Sequence, residues 1–392
     1  MLSYLSMPTQ HPFDRPPTEA AFELLTPQEH PDKLRQQEQQ EKPEQQQQQQ
    51  PQEPEPQPQA ELISLDSDGD LILVVRDPSK STTRHFLTSS SKLAQASRVF
   101  CTMLGPNFSE GQRLRSEPNK DEPATVTLDE DDVDAMDFIL SVIHTDTSRI
   151  MTVTLTARDI VAIALQVDKY DCAHALLPWI NAWCNPNCFP IDKKEKTRDM
   201  GYALLAAYLF RSPNFERISA FYVKDLPPDF VDTWAKEEVL GRLPETVWEG
   251  LLTQVNTTLR SLRLLVLRVA EDLRRERHMK RCQNTNCVVC SSPNSPNSPA
   301  ASEPLLQSRC PRGMSEYLGV LQGVDIWPSL LPFETLSVNN VVELIETLPK
   351  QVAHRCSDGT HCRLKCGVEE LCAKVKGERD SMKGVPLPPL EG

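Results

Sequence analysis

The sequence predicts an α+β fold: a small sheet with flanking helices, followed by a mainly helical C-terminal region. Three observations predict it. Between residues 62 and 184 the patterning reads strand, strand, helix, strand, helix, helix, helix, the order of a small sheet with helices packed beside it. Leu71, Leu73 and Val75 alternate with Ile72 and Val74, so both faces of this strand are apolar and both are expected to be covered. Beyond residue 186 only helical periodicities recur.

The elements follow in order. Residues 36–59 are Gln, Glu, Pro and one Lys with no apolar side chain besides proline, so ordering them costs entropy that no burial offsets, and 1–61 is expected to be a disordered Gln/Pro-rich tail. The run Asp-Pro-Ser-Lys-Ser at 77–81 is turn chemistry, and Arg84 to Thr88 can return as a second strand. One helix is expected from about Ser91, with Leu93, Ala96, Phe100 and Leu104 on one stripe, and then a polar loop through Phe108 to Gly111. A strand around Val126 precedes a helix bearing Val133, Met136, Ile139, Leu140 and Ile143, with acidic residues at its positive end. Thr156 and Asp159 form a capping box for the next helix, and Asp171 is expected to cap the one after it. Residues 197–236 read as all-helical. Pro244 then opens a long helix on which Trp248, Leu252, Val255, Leu259, Leu262, Val266, Val269 and Leu273 recur at a sustained 3.5 period. Such a seam serves either a coiled coil with a second chain or packing by the chain's own helices. The expected division is therefore 1–61, tail; 62–185, α+β domain; 186–281, helical extension; 282–312, Cys-containing linker; 313–392, helical Cys-containing region.

Composition restricts the function. The 392 residues allow two or three domains, and the net charge of −13 argues against nucleic-acid binding, which requires phosphate neutralisation. Eleven acidic against four basic side chains in residues 1–61 place −7 of that charge in the tail. No secretory signal and no membrane-spanning stretch is read from the sequence, so the 12 cysteines are expected to be reduced thiols in the nucleus or cytoplasm. Cys282, Cys287, Cys290 and Cys310 have spacings that suit a structural zinc site, with free thiols as the alternative; no other cofactor is expected. His354, Cys356, His361, Cys362, Cys366 and Cys372 supply a second, irregular set. Arg274, Arg275, Arg277, Lys280 and Arg281 read as cations at a helix C-terminus or as a nuclear-import patch. No catalytic set is recognisable: Cys172 reads as a core cysteine, and the aspartates of 129–134 as a solvated helix start. The chain is expected not to be an enzyme.

The stretch from Gly69 through Leu104 resembles a BTB/POZ domain, whose first helix carries a Leu-x-x-x-Ser-x-x-Phe signature matched by Leu93, Ser97 and Phe100. The later runs around 128–145 and 160–172, including Asp-Lys-Tyr-Asp at 168–171, resemble the second half of that domain. The 173–184 extension and the Gly-Pro-Asn-Phe-Ser-Glu-Gly-Gln run at 105–112 are similar to filamentous-fungal members. Where many members carry a histidine four positions before the helix leucine, this chain has Ser89. The resemblance implies a protein–protein interaction scaffold, homodimeric, with dimer contacts from Leu93, Ala96, Phe100 and Met103. It also implies one alternative, a substrate adaptor for a cullin-based ubiquitin ligase; a second alternative, a nuclear transcription-associated factor with a structural zinc site, rests instead on the cysteine spacings and the basic run at 274–281. Phe108 and Glu110 match the hydrophobic-x-Glu spacing of cullin-binding members; the other reading is that Phe108 packs its loop onto the domain.

Overall fold

The computed structural model describes residues 62–116, 123–281, 313–353 and 363–389, without the side chains of 147 and 276–281. The tail 1–61, the linker 282–312 and with it Cys282, Cys287, Cys290 and Cys310 lie outside the described residues.

Strands β1 (Leu62–Ser64), β2 (Leu71–Asp77), β3 (Thr82–Thr88) and β4 (Ala124–Asp129) form one sheet in the order β1-β3-β2-β4. β2 and β3 are an antiparallel hairpin with Asp77 opposite Thr82, while β4 runs parallel to β2 and β1 parallel to β3. The hairpin closes because Asp77 Oδ1 accepts from the backbone N–H groups of Ser79 (3.0 Å) and Lys80 (3.2 Å), a side-chain substitute for a main-chain turn. Leu71, Leu73, Val75, Phe86, Val126 and Leu128 are buried on the face toward the helices. On the other face Thr125, Thr127 and Asp129 are exposed and Ile72 is only half-buried. Val74 is covered there by its register neighbours His85 and Thr127. The two-sided cover expected from the apolar run is thus corrected: cross-strand neighbours, not a second helical layer, shield the outer face.

The single helix expected from Ser91 is two, α1 (Ser90–Ala96) and α2 (Arg98–Met103). Ser97 between them is extended (φ −142°, ψ 128°), and its hydroxyl accepts from Phe100 N–H while donating to the Tyr170 carbonyl. A serine that caps the second helix and reaches a distant carbonyl breaks the first. The expected polar loop is instead α3 (Ser109–Ser116) from Ser109 on. Asp132 caps α4 (Val133–Ile143) through the N–H groups of Asp134 and Ala135; α5 (Thr147–Ile150) follows. The Thr156–Asp159 capping box is present on α6 (Ala157–Tyr170). Asp171 does not cap the next helix; it closes α6 in the left-handed region at φ 46°, and a 3-10 turn at Ala173–Leu176 leads into α7 (Leu177–Trp183).

α8 (Lys196–Leu209) is buried all round from Asp199 to Ala207 and packs on α6, α9 (Phe215–Tyr222) and α10 (Phe230–Trp234). α11 (Glu245–Arg281) is met by α12 (Gly313–Gly323), α13 (Pro332–Thr335), α14 (Val338–Gln351) and α15 (Arg363–Asp380). Val255, Leu259, Leu262 and Val266 are fully buried under them, and the buried Tyr317 hydroxyl donates to the Val266 carbonyl at 2.9 Å. The heptad seam is therefore filled by the chain's own helices rather than by a coiled-coil partner, because its apolar surface is wider than a two-stranded stripe.

The domain boundary expected at residue 185 falls inside packed side chains. Trp183 lies 5.7 Å from Phe138 and 5.9 Å from Phe210, ring centre to ring centre. One buried apolar cluster runs from Leu65 to Met382, and the described residues fall in one compact unit. No helix among the described residues is long and apolar enough to cross a membrane.

Candidate interaction surface

The segment from α1 to α3 carries most of the residues singled out above. Leu93 and Phe100 are 0% exposed and Ala96 8%, while Met103 is half-buried. Phe100 stacks on Tyr170 with ring centres 4.6 Å apart. Leu93, Ala96 and Phe100 are thus corrected as dimer contacts: their stripe is the face that seals the chain's own core. What α2 turns outward is Arg98, Val99, Cys101 and Thr102. Val99 is 37% exposed, and Phe108, nine residues on, is 47% exposed. Phe108 therefore does not bury itself against the domain. Glu110, in the first turn of α3, is half-buried and accepts from the Ser109 hydroxyl at 3.0 Å.

Behind this segment lies a polar hub that sequence reading missed. Asp131, taken as part of a solvated acidic run, is 1% exposed. Its carboxylate accepts from Lys169 Nζ and the Tyr170 hydroxyl, and from the Gln166 amide at 2.8 Å, which in turn accepts from Asp132 N–H at 3.2 Å. A buried carboxylate is tolerable because each oxygen has charged or polar donors. Burial, and then the neighbouring Asp131 carboxylate, push the Tyr170 phenol far above its ordinary range, so it stays a donor. The signal was the pairing of one aspartate with Lys169 and Tyr170 across 38 and 39 positions, which no local periodicity displays.

His144, the C-cap of α4, is 5% exposed. Its Nδ1 sits 2.8 Å from the Leu140 carbonyl, and its Nε2 accepts from Ser89 N–H at 3.0 Å, which sets the neutral Nδ1–H tautomer. The buried imidazole at the start of α1 thus comes from 55 positions downstream of Ser89. Burial holds its pKa below the usual histidine value; the Leu140 carbonyl opposes this, Lys92 adds to it and Asp66 opposes it.

α4, α5, the 152–155 loop and the first half of α6, with Arg84 of β3, line an open cavity of about 550 Å³. Its two arginines pair with two of its four aspartates: Arg149 Nη2 reaches both Asp137 oxygens (2.8 and 2.7 Å), and Arg84 Nη1 lies between Asp134 (3.0 Å) and Asp137 (3.1 Å).

Of the chemistry-bearing cysteines, Cys172 is fully buried, with its thiol pushed up to about 12 by burial and then by Asp171; His174 beside it is exposed. Cys366 is exposed on α15, whereas Cys372 on the same helix donates to the Ile345 carbonyl inside the bundle. His354, Cys356, His361 and Cys362 lie outside the described residues. Among the described residues no group of three or more His, Cys, Asp or Glu side chains is placed to hold a metal. Arg274 and Arg275 are exposed on α11, and Arg275 pairs with Glu271 at 2.7 Å. No known family model matches the chain, and no curated protein is significantly similar to it.

Proposed function

We propose that the chain is a non-enzymatic protein–protein interaction protein built on a BTB/POZ-like module in residues 62–185, self-associating and scaffolding a partner complex. The observation that carries this reading is the outward face of the α2–α3 segment, where Val99 and Phe108 stay exposed although the inward stripe of the same segment is sealed. Exposed apolar side chains beside charges such as Arg98 and Glu110 are the usual anchors of a contact surface. Self-association then rests on the outer residues of α2, since Leu93, Ala96 and Phe100 are not available.

A second reading, a substrate adaptor for a cullin-based ubiquitin ligase, is favoured by Phe108 itself: its exposure is what a hydrophobic-x-Glu anchor requires. The test is size-exclusion chromatography with light scattering on the full chain, beside a cullin pull-down. Parent protein is expected at dimer mass at micromolar concentration, and Val99→Glu at monomer mass with an unchanged melting profile. Phe108→Ala is expected to lose cullin capture selectively. A parent chain that is monomeric and captures no cullin ends both readings.

A further inference from the structure

A nine-residue strap, 381–389, follows α15 without regular secondary structure and lies in a groove formed by α9, the first turns of α11 and the residues after α8. The groove reads the strap through its main chain. Gln254 Oε1 accepts from Lys383 N–H at 3.1 Å. The fully buried Ser219 hydroxyl accepts from Val385 N–H at 2.9 Å, its one proton shared between the Glu216 carbonyl at 3.0 Å and the Val385 carbonyl at 3.2 Å, and Arg211 Nη2 donates to the Pro388 carbonyl at 2.8 Å. Val385 and Leu387 turn inward onto the core, while Pro386 and Pro389 face solvent.

Two glycines shape the fit. A Cβ at Gly250, in the interior of α11 where glycine weakens a helix, would stand 2.5 Å from the Val385 side chain. A Cβ at Gly384 would stand 1.7 Å from the Glu216 carbonyl oxygen. The groove therefore demands glycine at 384 and takes the half-buried apolar side chains of Val385 and Leu387 beyond it. Three prolines between 386 and 389 keep the strap extended before it docks, so little entropy is lost on seating it. Besides the Nη2 bond to the strap, the Arg211 guanidinium lies 5.4 Å over the Tyr208 ring, and its Nη1 is buried with no hydrogen-bond partner among the described residues.

We propose that this groove is a recognition site for extended Gly-Val-Pro-Leu-Pro segments, filled here in cis by residues 384–388 and open to the same segment on a partner protein. Every polar contact goes to main chain, so another polypeptide with that order of side chains satisfies the groove equally. The cis strap acts as a tethered competitor at an effective concentration of about millimolar, so the site is autoinhibited until a partner displaces it. The groove is distinct from the α2–α3 surface, and its test does not depend on that reading.

The test uses the full chain carrying Gly384→Leu, which cannot seat its own strap. A fluorescein-labelled peptide, Lys-Gly-Val-Pro-Leu-Pro-Pro-Leu, is titrated against it by anisotropy. Saturable binding is expected, at least tenfold tighter than to the parent chain, and lost when Gly250→Leu is added. No binding to a Gly384→Leu chain that keeps its circular dichroism and cooperative melting overturns the proposal. Should Gly384→Leu not fold, Val385→Asp replaces it as the strap-evicting variant; if that also unfolds, the strap is an integral part of the fold and the proposal is wrong. A parent chain that forms dimers lost on Gly384→Leu assigns the groove to a second copy, which overturns the partner assignment.

Discussion

Ser97, Asp131 and His144 are buried polar side chains that each tie together segments far apart in the chain: Ser97 to the Tyr170 carbonyl, Asp131 to Lys169 and Tyr170, and His144 to Ser89. The helical stripe containing Ser97 was legible; the interruption of the stripe at Ser97 was not, since it depends on the position of Tyr170. His144 carries a pH prediction. Its folded pKa lies below the unfolded value of about 6.5, so the unfolded state takes up a proton first as pH falls. The stability tied to the neutral imidazole is complete above that value and is lost as pH falls through it toward the folded pKa. Urea midpoints measured from pH 7.5 to 5 are expected to drop for the parent chain and to drop less for His144→Gln, which keeps an acceptor for Ser89 N–H. Identical pH slopes for the two proteins would count against the assignment.

At the scale of elements, α11 decides between the two uses of a heptad seam. The spacing of its apolar residues was plain in the sequence, but spacing does not say whose side chains fill the holes. Leu259 is 2% exposed under the later helices, whereas Leu264 on the outer face is 60% exposed. Leu259→Ala is expected to cost about 2–5 kcal/mol of unfolding free energy, and Leu264→Ala less than about 0.5 kcal/mol. In the monomeric Val99→Glu background both unfolding curves are expected to be independent of protein concentration. A concentration-dependent midpoint sensitive to Leu259 would restore the coiled-coil reading. α3 illustrates the opposite limit: its sequence is polar and its helix is short, so no apolar stripe announced it.

For the whole molecule, the boundary near residue 185 has no counterpart in packing. Trp183 bridges Phe138 of α4 and Phe210 at the end of α8, and α6 packs along α8. A fragment of residues 62–184 would expose the apolar faces of α6 and α7 that α8 covers. Such a fragment is expected to melt well below the full chain, or without cooperativity, and to bind a hydrophobic dye, whereas the full chain unfolds in one transition. An isolated fragment as stable as the intact chain would show that the interface with α8 contributes little. The strap at 381–389 works at the same scale, since it links the last described residues to α9 and to the start of α11.

By itself the sequence determined the α+β class, the order of β2, β3, β4, α4, α6 and α7, the capping box at Thr156 and Asp159, the core role of Cys172 and the long helix that follows Pro244. Those features rest on local periodicity, turn chemistry and end-capping, which act over a few residues. Only the tertiary structure decided that the stripe of Leu93, Ala96 and Phe100 faces inward, that Asp131 is a buried hub, that the α11 seam closes on its own chain, and that residues 384–388 occupy a groove. Each of these depends on which distant segment arrives to cover a face or accept a proton, and burial energy is the same whether that segment comes from the same chain or from another.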